Sequence, residues 1–286
     1  MPESAANAAM QRHWNEVAGP RWVRLGGVQE ARNVEVAALL IREARPAPGE
    51  RVLDIGCGTG ATALPLAEAV GQKGQVTGID ISEPMLEVAR RRVAERGLTN
   101  VTLLLADAQE YPLPEAEFDL LTSRFGVMFF ADPVAAFRNL IGAARPSGRL
   151  CLAVWAGIAD NLHWQIPYEI ALRRVGPPAP QPPHAPGPLA FSDADYLRGI
   201  LEAAGFADVA IAPRAFEVIG ESAAQEGELA AMLGPAGRLL DEKQADDATR
   251  QAIAAETAAA FAARARPDGS LRLPGTVLIA KGHRSR

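Results

Sequence analysis

Residues 52–60, Val-Leu-Asp-Ile-Gly-Cys-Gly-Thr-Gly, constrain the fold more than any other stretch of the 286-residue chain. A short apolar run of strand type ends in glycines at 56, 58 and 60, and a helical pattern follows over 62–70. Glycine at such a turn permits positive φ and lets a ligand approach the backbone with no Cβ in the way. The next strand, 75–81, carries Asp80 at its tip, 20 positions past Gly60. A carboxylate there, beside the glycine loop, suits hydrogen bonds to ribose hydroxyls. The third strand, 101–106, is followed by Asp107. Acids at three successive strand ends, Asp54, Asp80 and Asp107, line the crevice where open α/β sheets bind ligands.

The alternation continues past the loop. Ser82 reads as an N-cap with Glu83 and Pro84 in the first turn of a helix that Gly97 stops, with Met85, Ala89 and Val93 on one face. A fourth strand over 118–123 starts with Asp119 as a local cap. Asp132 and Pro133 then open a helix with Val134, Phe137 and Ile141 facing inward, and 148–155 is a fifth strand. Strands alternating with helices predict a doubly wound sheet. Residues 4–45 read as helical and end at Pro46-Ala47-Pro48-Gly49. Seven of the 22 prolines fall in 177–188, which makes that segment extended, either a connector or a lid over a pocket. Phe191 and Ser192 have the form of a hydrophobic staple and capping box for a helix that runs to Gly205. A strand over 208–220 is assigned to an edge or a bulge by Pro213. Residues 221–265 are helical, and 275–281 is a last strand.

Composition serves mainly to exclude. A chain 48% hydrophobic and 22% charged is not disordered throughout. A net charge of −5 has the wrong sign for a grip on phosphates, so no nucleic-acid partner is expected. Arg90-Arg91-Arg92 with Arg96 reads as a solvated helix face. The four histidines, at 13, 163, 184 and 283, have no ligand spacing, and no metal is expected. Two cysteines do not make a disulfide framework, and Cys57, between glycines, reads as a small space-filling residue. The apolar run 125–131 stops well short of the roughly 18 residues a membrane span needs, and no secretory signal is visible. A cytoplasmic protein without an integral membrane segment is expected; a homodimer is left open.

Gly56-x-Gly58-x-x-Ala61 also satisfies the relaxed dinucleotide fingerprint, so an NAD(P)-dependent oxidoreductase stands as an alternative. Asp54 argues against it, because its charge would face a pyrophosphate but would suit a ligand carrying an ammonium group. None of Tyr111, Tyr168 and Tyr196 has a lysine four residues later, which removes one common reductase arrangement.

Taken as an ordered set, Asp54-Ile-Gly-Cys-Gly-Thr-Gly60, Gly78-Ile-Asp80-Ile-Ser82, Ala106-Asp107-Ala108, Phe118-Asp-Leu-Leu-Thr-Ser123 and Arg145-Pro-Ser-Gly148-Arg-Leu150 resemble the class I S-adenosylmethionine-dependent methyltransferases. Within that class the chain is similar to the ubiquinone/menaquinone-biosynthesis type, tightly over 50–155 and loosely beyond. The resemblance implies an α/β fold: a doubly wound, Rossmann-like, seven-stranded and mostly parallel sheet with an antiparallel last strand. It adds a helical N-terminal cap and a helical insertion near the C-terminus. The chain then divides into a cap at 1–48, an S-adenosylmethionine-binding core at 49–156, a proline-rich lid or connector at 157–191, and the completion of the sheet with its insertion at 192–286.

The same resemblance implies S-adenosyl-L-methionine as cofactor and S-adenosyl-L-homocysteine as product. Gly56, Gly58 and Gly60, with Cys57 among them, would wrap the methionine moiety, and Asp54 would support its amino end. Asp80, with Ile81 beside it, would hold the ribose, while Asp107 and the Ala108 backbone would meet the adenine. Ser123 and Arg124 would stand at the level of the transferring methyl. Trp14 and Trp22 either cover the cofactor or pack in the core. The segment Ser123-Arg124-Phe125-Gly126 lacks an Asn-Pro-Pro-Tyr pattern, which points away from nucleic-acid or protein-amide methylation and toward a small-molecule acceptor. Oxygen, nitrogen and carbon remain open as the acceptor atom. In-line transfer from an activated sulfonium asks the protein chiefly to position the acceptor, an effect worth about 7–11 kcal/mol. An acceptor hydroxyl would also need a base. His163 is the candidate, the alternative being an ordinary satisfied histidine. A non-catalytic S-adenosylmethionine-binding protein on the same fold is the other alternative.

Overall fold

Residues 5–44 are helical apart from a turn at Asn33: α1 (Ala5–Arg12), a π-helical turn at His13–Val17, α2 (Ala18–Arg32) and α3 (Val34–Ala44). The structure is a computed structural model and describes residues 5–285. Residues 1–4 of the expected cap and residue 286 of the last segment lie outside the described residues. Strands and helices then alternate as β1 (Arg51–Ile55), α4 (Ala63–Val70), β2 (Gln75–Asp80), α5 (Glu83–Glu95) and β3 (Val101–Leu105). They continue as β4 (Phe118–Arg124), α6 (Pro133–Ala143) and β5 (Ala144–Trp155). The last part of the chain adds α7 (Leu162–Val175), α8 (Ala194–Ala204) and β6 (Phe206–Gly220). The helices α9 (Ala223–Met232), α10 (Gly234–Glu242) and α11 (Asp247–Ala262) precede β7 (Leu271–Arg284).

The seven strands form one sheet in the order β3-β2-β1-β4-β5-β7-β6. The first five are parallel, and β7 runs antiparallel between β5 and β6. This is the expected fold. Strand order reverses between β1 and β4, which opens a crevice at their C-terminal ends. β1 and β4 are buried on both faces because helices cover both, so neither shows alternation.

Local outcomes differ from expectation in four places. In α6 the buried stripe is Ala136, Phe137, Leu140 and Ala143, leaving Val134 and Ile141 half-buried at its margin. Phe137 is fully buried among Phe130, Phe191 and Phe206, with ring centroids 5.7, 6.2 and 6.3 Å away. Phe137→Ala should therefore cost about 3–5 kcal/mol, read from the midpoint of denaturant unfolding. The cap of α8 is Asp193, whose carboxylate accepts from the Asp195 and Tyr196 amides, while Ser192 turns its hydroxyl to the Leu189 carbonyl. The edge strand is β6, as Pro213 requires, but its bulge falls between Ala207 and Ala210. Finally, the first half of 157–191 is the 14-residue helix α7. Pro167 inside it removes the N–H that would bond the His163 carbonyl and masks the helical pattern. The proline run follows only after Gly176.

Candidate functional site

A single cavity opens at the C-terminal ends of β1 to β5. Gly56, Cys57, Gly58, Asp80, Ile81, Asp107, Ala108, Arg124 and His163 all line it. Asp54, Gly60 and Ser123 do not; they stand behind its wall. All three loop glycines have positive φ, at 66°, 54° and 86° for Gly56, Gly58 and Gly60. The loop also presses against the turn after β4, where a Cβ on Gly126 would lie 2.6 Å from the Ile55 carbonyl oxygen and 2.7 Å from Gly56 Cα. Cys57 fills the space above Gly78, and burial pushes its thiol well above the ordinary range, so it is no nucleophile.

The carboxylate of Asp80 accepts from the Gly58 N–H at 2.7 Å and from the Ser82 N–H at 2.8 Å. Burial raises its pKa, and those donors oppose the rise. Ser82 holds the cap position of α5, but its hydroxyl donates to the Trp14 carbonyl instead of to the helix. Asp54 is fully buried and accepts from the Thr62 hydroxyl at 2.6 Å, while its Oδ1 has no partner among the described residues. Burial pushes its carboxyl up to about 7. Ser123 donates to the Ile55 carbonyl at 2.7 Å and so braces the start of the loop. Asp107 accepts from the Gln109 N–H at 2.9 Å, and the Ala108 carbonyl takes the Asn139 amide at 3.0 Å.

The N-terminal helices are tied down onto this crevice. Asn15 donates to the Ile81 carbonyl and accepts from the Glu83 N–H. Glu30 accepts from the Thr59 hydroxyl at 2.6 Å and from Arg92. Arg92 also reaches the Thr59 carbonyl at 3.2 Å. The expected solvated face thus holds at Arg90 and Arg91 but not at Arg92, which clamps α2 to the glycine loop.

Aromatic rings build the rest of the cavity. Both Trp14 and Trp22 line it, Trp14 meeting Phe129 edge-on at 5.0 Å. Phe125 takes a positive φ of 71°, which costs of order 1–3 kcal/mol in a non-glycine residue. Its ring lies flat on Trp155 at 4.4 Å, and Trp155 in turn meets Trp164 at 4.4 Å. Leu229 of α9 and Leu233 complete the roof, and Pro188 reaches the rim. Next to Pro188, the Gly187 N–H bonds the Met128 carbonyl at 3.0 Å. Arg32 and Gln29 add polarity, but Arg32 is ion-paired with Glu226 at 2.9 Å and bonded to Gln29 at 2.6 Å. His163 is 4% exposed, and its Nδ1 has no partner among the described residues. Burial, with Arg32 nearby, holds its pKa well below the usual value, so the ring is neutral.

Sequence reasoning missed Arg32, Gln29, Trp155, Trp164, Leu229 and Leu233. The run 125–131 reads in sequence only as too short for a membrane, yet it supplies Phe125 and Phe129. No local signal marks Arg32, whose partner Glu226 is 194 residues away.

A methyltransferase-domain family model matches residues 52–148. An aklanonic acid methyltransferase of Streptomyces sp. (strain C5) is 43% identical over 111 residues, 39% of this chain and 50% of that protein. A ubiquinone/menaquinone biosynthesis C-methyltransferase of Shewanella sediminis (strain HAW-EB3) is 32% identical over 179 residues, 59% of this chain and 71% of that protein. The chain belongs to the class I S-adenosylmethionine-dependent methyltransferases. Within this methyltransferase family its similarity is to the ubiquinone/menaquinone-biosynthesis type. The YcgJ protein of Bacillus subtilis shares the methyltransferase fold, with a TM-score of 0.55 at 18% identity over 87% of this chain and 98% of that one. The chain spans about half the length of the first curated relatives it matches. These relatives lend no support to the oxidoreductase alternative.

The family's methyl donor fits the site. Gly56 and Gly58 line the cavity in tight packing, where a Cβ would lie 2.6 Å from Gly126 Cα or 2.8 Å from Met85 Cε, and each oxygen of Asp80 retains acceptor capacity beyond its backbone donor. Among the described residues no helix is long and apolar enough to cross a membrane, and no group of three or more His, Cys, Asp or Glu is placed to hold a metal ion.

Proposed function

We propose that this chain transfers a methyl group from S-adenosylmethionine to a small, flat, largely apolar acceptor. One observation carries the reading: the glycine loop and acidic strand ends share a single cavity with Trp14, Phe125, Phe129, Trp155 and Trp164. Flat aromatic walls favour a planar ligand, each good ring contact adding about 0.5–1.5 kcal/mol beyond area burial. The two relatives described above are named for aklanonic acid and for ubiquinone/menaquinone biosynthesis.

When bound, the donor supplies a methyl already activated on a sulfonium. Gly56, Gly58 and Gly60, with Cys57 packed beneath them, shape the methionine site. Asp80 and Ile81 take the ribose, and Asp107 and Ala108 the adenine. Asp54 and Ser123 act from behind the wall, through Thr62 and the Ile55 carbonyl. The roof of α2, α7 and α9 excludes water and aligns the acceptor, which is where positioning energy of about 7–11 kcal/mol is available. The cytoplasm is the proposed location, on the composition argument.

His163 faces the acceptor side of this cavity. Neutral at physiological pH, it can accept a hydrogen bond from an acceptor hydroxyl, but its depressed basicity makes it a poor final holder of a proton. His163→Gln should therefore lower kcat less than about tenfold; a loss of about 10²-fold or more would make it the general base. Its folded pKa lies below the unfolded value of about 6.5, so an unfolded chain binds the proton first as pH falls. The corresponding stability is present above about pH 6.5 and is lost toward the folded value. Between pH 7.5 and 5.5, the melting temperature of His163→Gln should accordingly fall less than that of the wild type.

The function is tested by incubating the protein with S-adenosylmethionine and a panel of hydroxylated planar aromatic compounds. Release of S-adenosylhomocysteine above the acceptor-free background, with a product 14 mass units heavier (one CH₂, roughly), is the expected result. Donor binding with no release across the panel would favour the non-catalytic alternative. Failure to bind the donor would overturn the reading.

A further inference from the structure

Arg124 ends β4, and its guanidinium lines the cavity without a hydrogen bond or ion pair among the described residues. Its one recorded contact is the Phe125 ring, 5.9 Å from Cζ. Arg32, the other arginine on the cavity wall, is ion-paired with Glu226 and bonded to Gln29. Arg124 is half-buried, and a guanidinium partly stripped of water without a protein partner is unfavourable, because the lost hydration is not replaced. Among the described residues, Asp54 and Glu30 are the acids whose charge favours the Arg124 cation. The first is buried, bonded to Thr62 and close to half-protonated at neutral pH. The second is taken up by Thr59 and Arg92. Neither closes an ion pair with Arg124.

The sheet locates the cation: β4 pairs with β1, Asp54 standing opposite Thr122, and Gly126 packs on Gly56, so Arg124 ends its strand beside the glycine loop. Asp54 leads into the glycine loop, and Glu30 is bonded to Thr59 within it. An anion meeting Arg124 therefore belongs to the part of a ligand that lies against the loop, which on the proposed function is the amino-acid end of the donor. That end carries the donor's single carboxylate, and a guanidinium fork matches a carboxylate with two parallel N–H donors. We infer that Arg124 binds the α-carboxylate of S-adenosylmethionine and makes the site selective for a donor with an intact amino-acid tail. This rests on the methyltransferase reading and adds to it the residue that recognises the tail.

Calorimetric titration of S-adenosylmethionine and of decarboxylated S-adenosylmethionine, which keeps the sulfonium, ribose and adenine, tests the inference. Wild type should prefer the intact donor by on the order of 10- to 100-fold, the value of a hydrogen-bonded charge pair. Arg124→Met should lose most of that preference by weakening the intact donor alone, and Arg124→Lys should retain part of it. Without ligand, Arg124→Met should melt no lower than wild type, since it removes a half-buried charge that has no ion-pair partner among the described residues; a merely structural arginine would lower the melting temperature. Equal preference in wild type and Arg124→Met, with the intact donor still bound tightly, would overturn the role of Arg124 alone. No binding of either compound by wild type would instead overturn the methyltransferase reading.

Discussion

Asp80→Ala is expected to weaken S-adenosylmethionine binding by on the order of a hundredfold, with a fall in kcat that saturating donor does not restore. One hydrogen bond to a charged group is worth about 1.5–3 kcal/mol, so loss of the ribose contact alone accounts for at least about tenfold. Considered from sequence, the ribose is remote from the reacting sulfur, and uniform binding of that kind leaves kcat untouched. The structure changes this expectation. The same carboxylate holds the Gly58 N–H at 2.7 Å and the Ser82 N–H at 2.8 Å, so alanine also frees the loop that aims the methyl. Asp80→Asn keeps an oxygen for one of the two donors and should fall between wild type and alanine. Calorimetry beside circular dichroism decides the matter: a folded Asp80→Ala protein with wild-type affinity would remove the ribose assignment.

Gly126→Ala should be nearly as damaging although it adds one methyl. The new Cβ would stand 2.6 Å from the Ile55 carbonyl oxygen and 2.7 Å from Gly56 Cα, and both neighbours are backbone, which cannot rotate away. Overpacking of this kind costs about 1–3 kcal/mol, several degrees of melting temperature in a chain of this size. Relief by outward movement of Gly56 displaces the donor cradle itself. Donor affinity should therefore fall by at least about tenfold in a protein that still folds. Gly142→Ala, where an added Cβ meets nothing within 4 Å, is the matched control. Equal donor affinity in the two variants would show that the loop does not depend on this close approach.

What could be read from the sequence follows from how local its causes are. β1, β2 and the loop between them announce themselves because Gly56, Gly58 and Asp80 do their work within 25 residues of one another (roughly one β-α-β unit). The antiparallel β7 came from family resemblance, since an apolar run of strand length does not state its direction. α7 was hidden by Pro167, which reads as a breaker until packing of Trp164, Ile170 and Ala171 against the fold outweighs the lost hydrogen bond. Ser82 caps α5 as expected but turns its hydroxyl to Trp14, and Arg92 turns to Glu30 of α2; no local pattern reveals the docking of these N-terminal helices. The proposed acceptor chamber was the least legible part. Its walls come from α2, β5, α7 and α9, and their convergence is a property of topology.

That convergence also has an order in time. The donor crevice is assembled from β1 to β4 and the turns between them, segments close together in the chain that can close early. The roof waits for Arg32 to find Glu226 across 194 residues, a closure whose entropic cost rises with the logarithm of the separation. As synthesis proceeds from the N-terminus, α2 is made long before α9 exists, so its buried guanidinium stays hydrated until the last third of the chain arrives. A closure over so long a separation is expected to follow the barrier to folding, and a contact of that kind governs how long the finished protein stays closed. The Arg32–Glu226 pair is thus a determinant of lifetime: weakening it would leave the rate of folding nearly unchanged and quicken the first step of unfolding, the lifting of the roof from an intact donor crevice.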